Sequence, residues 1–591
     1  MPPKPPRMGG GGANLLDSQK TGDNSDFDSE EIDDKKTDNN DKNEDVDSSW
    51  TTPIYKGYED YFVDFFNLPS ESFTIENGVT TINYDSITRT TTSNGIELKY
   101  SGVLFDTITS DDLVGAGTLS EPYIVRSTKG FLYIFNFQFC KLYLIGKYIE
   151  LDCDITLNDE SFDENGTPSG GDGVIYHWRS KFADGTRAFL LDGNGYSASG
   201  MYFNDKLVDY VGLFGHQICR KIENLTVKNY YLKGKNSVAT FGYSVEEIEN
   251  CVAKNGFVYA NALAAGITTN SKHIENTKNY SKVVVSDRVV GGFGASWASA
   301  TTTIMKNCEN YGQIEGIYYV GGLIGTPSAY FTVVDCTNYG TIKGKERVGG
   351  ICSADYYIGA KRFVNCSNYG FIDATTNYAF SNAGILGWST QRTEITNCTQ
   401  NGVVKQGDGG SINSGLVGNI NQNAEVVIRD CKVMLEGNVS NAIVGTISQA
   451  KVYIENVYVQ YNTIITSANL FAHIYDCELY VSNIEANITF LPGSTNCMVF
   501  GDHVDTAHTT IKNILLKTNA KNATITKSNR KKINVKSAIV GKTYYGSDFS
   551  GYSVNWKTGE LGVRSLSGGA FFQGKISKEW LEINGYQNRM F

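Results

Sequence analysis

Asn307-Cys308-Glu309-Asn310-Tyr311-Gly312, Asp335-Cys336-Thr337-Asn338-Tyr339-Gly340, Asn365-Cys366-Ser367-Asn368-Tyr369-Gly370 and Asn397-Cys398-Thr399-Gln400-Asn401-Gly402 are four copies of one hexapeptide. Their cysteines stand 28, 30 and 32 residues apart (336−308, 366−336, 398−366), and Cys431 follows after 33 more (431−398). A second motif falls between the copies: Gly322-Leu323-Ile324-Gly325, Gly349-Gly350-Ile351, Gly384-Ile385-Leu386-Gly387 and Gly415-Leu416-Val417-Gly418. A period of this length, carrying Asn, Gly and β-branched residues without helical spacing, predicts strands wound into a solenoid. The cysteines recur at one phase, so Cys308, Cys336, Cys366 and Cys398 are expected to form a single inward row, about 4.8 Å from coil to coil.

The glycines flanking the Leu-Ile pair are expected to turn the chain tightly on both sides of a short inward strand. The Asn-Tyr-Gly trio is read as another corner, with Asn and Gly in left-handed conformations and Tyr covering the turn. Asparagines at one phase can also hydrogen-bond along the stack as a ladder. Residues 200 to 500 then hold roughly ten coils at about one strand spacing each.

Composition supports one long body rather than several domains: of 591 residues, 41% are hydrophobic and 19% charged. The formal charge of −11 argues against a nucleic-acid partner, which requires a basic stripe. The local run Arg530-Lys531-Lys532-Ile533-Asn534-Val535-Lys536 is read as a solvated strand face. The 12 cysteines are read as reduced and structural because they follow the repeat rather than close pairs. No run approaches the roughly 18 apolar residues of a membrane span, so no membrane insertion is expected. The start Met1-Pro2-Pro3-Lys4-Pro5-Pro6-Arg7 is followed by a glycine run rather than an apolar stretch and is not read as a secretory leader.

Residues 1–50 form an acidic, polar tail whose apolar foothold is Ala13-Asn14-Leu15-Leu16, a composition expected to order only by docking on a partner. Residues 51–112 alternate as strands, with Tyr58 to Leu68 readable as an interface or a short helix. Residues 113–515 are assigned to the parallel β-helix and 516–591 to a β-rich cap in which Ile576 to Ile583 is a candidate helix.

Gly115-Ala116-Gly117-Thr118 with Pro122-Tyr123 leads to Leu151-Asp152-Cys153-Asp154-Ile155, then to Asp192-Gly193-Asn194-Gly195 and Gly212-Leu213-Phe214-Gly215. In this order the elements resemble the entry module of GLUG-repeat surface proteins and adhesins of bacteria and their phages, and the resemblance spans about residues 113–450. It implies an all-β, right-handed parallel β-helix. Gly349-Gly350-Ile351-Cys352 departs from the motif at its last position, and Gly291-Gly292-Phe293-Gly294 and Ala442-Ile443-Val444-Gly445 are degenerate copies.

Parallel β-helices can carry glycan-cleaving carboxylate pairs, but Asp335, Asp373 and Glu394 change phase from coil to coil and define no catalytic residue. The six histidines and the repeat cysteines show no zinc spacing, so neither metal nor cofactor is expected. Asp163 to Gly173 has oxygens that suit calcium, and turn chemistry accounts for it as well. The functional lead is a set of aromatic residues between the motifs, Trp297, Tyr318, Tyr319, Tyr356, Tyr357 and Trp388, as contacts for a surface glycan or protein. The resulting expectation is a non-enzymatic, structural and adhesive solenoid. It would be a bacteriophage virion protein (tail fibre, head fibre or spike) joined to other virion proteins through its tail, with a homotrimer left open. A bacterial cell-surface adhesin and a polysaccharide depolymerase are the alternatives.

Overall fold

The computed structural model describes residues 53–526, apart from short internal segments, and the strands that follow between 533 and 575. The tail of residues 1–50 and the candidate helix at 576–583 lie outside the described residues.

One coil shows how the repeat folds. Strands Thr302–Lys306, Glu309–Asn310, Ile314–Glu315, Tyr318–Gly321 and Ile324–Thr326 follow one another around the axis. Each pairs in parallel with its counterpart one coil on: Met305 with Val333, Asn310 with Asn338, Ile314 with Ile342, Val320 with Val348 and Ile324 with Cys352. Repeating this gives a β-solenoid of about 13 turns whose strands fall into two long sheets of 38 and 17 strands. The coil count exceeds ten because parallel pairing starts with Tyr123–Val125 on Tyr148–Leu151 and continues through Ser537–Val540.

Inside, the cysteines form the expected row. Cys308, Cys336, Cys366 and Cys398 are each fully buried, in line with Cys251 and Cys431. Each thiol donates to carbonyls of its own coil or the preceding one, as Cys308 Sγ does to Lys306 O at 3.2 Å and Ile274 O at 3.6 Å. Thr277 takes the position between Cys251 and Cys308, donating to Glu275 O at 2.9 Å and accepting from the Cys251 N–H. Burial pushes the Cys251 thiol up to about 12 and holds those of Cys336 and Cys431 above the ordinary thiol value, so these three stay neutral.

The Gly-Leu-Ile-Gly segment bends between two short strands, and size rather than left-handed geometry requires its glycines. A Cβ on Gly321 would lie 1.7 Å from Ile324 O, and one on Gly322 would lie 2.1 Å from Gly350 O. The tight turns expected there are present; left-handed residues occur just before the segment, at Tyr319 and Arg347, and at a second corner. Asn307, Asp335, Asn365 and Asn397, each just before its cysteine, have φ between 50° and 55°.

Both ends differ from the middle. Before the first coil, helices α1 (Tyr58–Phe65), α2 (Thr128–Ile134) and α3 (Phe137–Cys140) bury a dense aromatic cluster. Phe62 and Phe66 pack on Phe139, and Phe135 packs on Phe189 and Phe214 of the first coils. The cluster covers apolar surface that a preceding coil would otherwise cover. Helices α2 and α3 leave no period in the sequence because each is too short to show one, and caps from Ser127 and Asn136 start them. At the other end, parallel stacking gives way to an antiparallel run, Ser537–Val540, Thr543–Gly546, Tyr552–Asn555, Glu560–Val563 and Gln573–Lys575. That change of pairing suits a solenoid end, where an open edge would template further strands.

Ile324 has no exposed surface and stacks on Cys352. Ile324→Asp places an unpaired carboxylate between coils and is expected to cost about 4 kcal/mol or more, enough to prevent cooperative folding of the central coils. An unchanged thermal unfolding midpoint for this variant would show that the position tolerates water.

Candidate functional site

The outer face is organised by a ladder just beneath it. Asn279 Nδ2 donates to Asn310 Oδ1 at 2.8 Å, Asn310 to Asn338 at 2.8 Å, Asn338 to Asn368 at 2.7 Å, and Asn368 to Gln400 at 2.8 Å. All five amides are fully buried. Each repeat asparagine also accepts from, or donates to, its own trailing glycine, as Asn310 does with Gly312 N and O at 3.2 Å. The asparagine of Asn-Tyr-Gly is therefore an inward strand residue rather than a left-handed corner. Its glycine is required by crowding, since a Cβ on Gly340 would lie 1.9 Å from Gly312 O.

With the asparagine held inside, the next side chain must point out. Tyr280, Tyr311, Tyr339 and Tyr369 consequently stack in one column, ring centroids 4.6, 4.8 and 5.5 Å apart and planes within 12° of parallel. They are 39–45% exposed. Their faces cover one another, so the column presents ring edges and hydroxyls. Tyr311 Oη donates to Glu309 at 3.1 Å, and Glu309 pairs with Lys278 at 2.6 Å. On the other flank, register aligns Glu315, Lys343, Asp373 and Lys405 in a row of alternating sign, with Lys343 3.2 Å from Glu315. The Asn-Tyr-Gly period carries the signal for this column, although in sequence its Tyr reads as turn cover alone.

The aromatics singled out by sequence are placed otherwise. Tyr318 is 37% exposed. Tyr319 is half-buried beneath the Arg347 guanidinium, 4.8 Å from its ring. Arg347 also lies 4.5 Å from the Trp388 ring, and Trp388 Nε1 donates to Asn421 Oδ1 at 2.9 Å. Trp388 is only 9% exposed, which corrects its reading as a surface contact: Arg347 and Asn421, from the neighbouring coils, cover the indole. Tyr357 is half-buried, its carbonyl accepting from Lys361 Nζ. Trp297 and Tyr356 lie outside the described residues.

The carboxylates are committed locally. Asp335 accepts from Asn365 at 2.9 Å and Glu394 pairs with Arg362 at 3.2 Å. In the loop considered for calcium, Asp163 Oδ1 accepts from the N–H groups of Asn165 and Thr167, both at 2.8 Å, and Glu164 pairs with Lys282 at 2.7 Å. Asp355 is fully buried, accepting from Ser389 Oγ at 2.8 Å and from the Thr393 hydroxyl and the Thr390 N–H. Burial holds its carboxyl above the usual range despite these donors and nearby Lys361.

The fold and this face define the class: a parallel β-solenoid with an external aromatic column on an internal amide ladder. No family model and no curated protein matches the chain. Among solved structures it is similar to a crystallised protein from Bacteroides ovatus described as a "putative immunoglobulin A1 protease", at 15% identity and TM-score 0.33, over 50% of this chain and 80% of that one. A likeness of that extent carries nothing about activity.

Asn338→Ala removes one rung, leaving the Asn310 and Asn368 amides short of a partner inside the coil. It should lower stability by about 2–4 kcal/mol, read as a fall in the unfolding midpoint. Asp355 gives a pH signature. Its raised folded value means that ionisation opposes folding, so its contribution is most favourable below the unfolded value of about 3.9 and is lost as pH rises through the folded value. Relative to Asp355→Asn, the parent protein should lose stability as the pH is raised above the unfolded value of about 3.9, checked by thermal melts at increasing pH. A constant difference would show an ordinary carboxylate.

Proposed function

We propose that this chain is a structural and adhesive solenoid, carried on a bacteriophage particle through residues 1–50, that presents the Tyr280–Tyr369 column to a protein on the bacterial surface. The column is the observation that carries the reading. Four amphipathic rings held rigidly on a buried ladder lose little conformational freedom on binding, and tyrosine is enriched at the centres of interfaces for that reason. Because neighbouring rings cover each other's faces, the column cannot stack on sugar rings along its length. It suits a flat protein face that accepts edges and hydroxyls. The order of the GLUG-like motifs and the tail's composition, acidic with one Leu15-Leu16 foothold, support attachment to a larger particle.

Two measurements test this. Removing residues 1–50 should leave a folded β protein that no longer joins the particle, whereas a cell-surface adhesin would need the tail for nothing of the kind. Tyr311→Ala with Tyr339→Ala, both at exposed positions, should weaken adsorption to host cells by about tenfold or more without lowering the melting temperature. Protease treatment of the cells should abolish the same adsorption. Adsorption that survives both the double substitution and the protease would remove the column from the interface.

A further inference from the structure

A groove of about 630 Å³ runs along a different corner of the solenoid, across the later coils where the hexapeptide has faded. One wall carries Asn423, Gln449, Asp476 and Thr506, one residue from each of successive coils, and the other carries Lys451, Glu478 and His508. Register fixes the second wall, since Lys451 pairs with Glu478 and Glu478 with His508. Ala450 and Cys477, both buried, make the floor.

The wall side chains contrast with those of the next corner in the same coils. There Asn456 donates to Asp430 at 2.9 Å, Asn483 to Asn456 at 3.0 Å and Asn513 to Asn483 at 2.9 Å, closing a ladder upon itself. In the groove, the exposed side chains of Asn423, Gln449 and Asp476 make no such bonds among the described residues. Thr506 Oγ1 accepts from the Asp476 N–H at 3.1 Å, while the side chains of Asn423, Gln449 and Asp476 recur once per coil, about 4.8 Å apart, and remain open to a ligand.

The chemistry narrows the occupant. Main-chain groups under the groove are already paired between coils: Lys451 N with Ala424 O at 2.9 Å, Glu478 N with Ala450 O at 3.0 Å and His508 N with Cys477 O at 2.8 Å. An extended peptide therefore finds no strand edge to join. Asp476 and Glu478 outweigh Lys451, which disfavours a polyanion. Lys451 is itself held 3.7 Å from Glu478 and 5.6 Å from the Tyr453 ring. No group of acids, histidines or cysteines among the described residues could hold a metal ion.

We propose that this groove binds a linear oligosaccharide, neutral or bearing amino groups, laid along the solenoid axis. Amides, carboxylates and the Thr506 hydroxyl proton meet its hydroxyls coil by coil, while the small floor of Ala450 and Cys477 receives the apolar faces of its rings. This site is separate from the tyrosine column and does not depend on the function assigned to that column.

The test is binding of the full chain to a printed array of bacterial surface polysaccharides, with heparin and DNA as polyanion probes. Neutral or amino-sugar polymers should be retained. Thr506→Trp, which fills the groove from an exposed position, and Glu478→Gln should each weaken that retention by at least about tenfold. Tyr339→Ala should leave it unchanged. Retention of the polyanions alone, retention of no polysaccharide, or binding that survives Thr506→Trp overturns the proposal. Loss of polysaccharide binding in Tyr339→Ala but not in Thr506→Trp would assign the saccharide to the column instead.

Discussion

Axial register governs this molecule. A buried amide whose donors and acceptors are met by the amides one coil above and below admits no slip, because a shift of one residue would exchange Asn338 for Tyr339 inside the coil. The thiol row, the crowded glycines and the outward tyrosines all follow from keeping that register. Hydrophobic burial supplies most of the stability of such a stack, but it does not choose between neighbouring registers as sharply as an amide ladder does.

The same constraint sets what the surface can do. Every outward position becomes a row, and its chemistry is decided by whether successive members satisfy one another. The tyrosines of the repeat satisfy one another through their faces and leave a strip of edges. The asparagines before the cysteines satisfy one another through their amides, as Asn397 does with Asn365 at 2.7 Å. Charged rows neutralise themselves in pairs such as Lys306 with Glu275 at 2.8 Å. Only rows that fail to close in this way keep hydrogen-bonding capacity for a ligand, and the groove from Asn423 to His508 is such a place.

Both ends interrupt the repeat for one physical reason. A coil in the middle is covered above and below by copies of itself, whereas a terminal coil needs a different cover. Phe131 and Phe139 of the short helices, with Phe135 between them, supply apolar bulk at the N-terminal end. Antiparallel pairing after Val540 changes the edge at the other.

Sequence alone determined the solenoid, its inward thiol row and the presence of an asparagine ladder, because residue identity recurs at fixed phase and stacking converts phase into a line in space. It could not assign sidedness within the Asn-Tyr-Gly trio: a polar Asn buried beneath an exposed Tyr inverts the ordinary burial preference, and only the amide partners one coil away make it favourable. Nor could it separate Trp388 from a surface aromatic, since Arg347 and Asn421, which close over it, come from other coils. The groove left no motif at all. Asn423, Gln449, Asp476 and Thr506 share neither identity nor spacing strict enough to read, and only the tertiary stacking of coils of unequal length brings them into one wall.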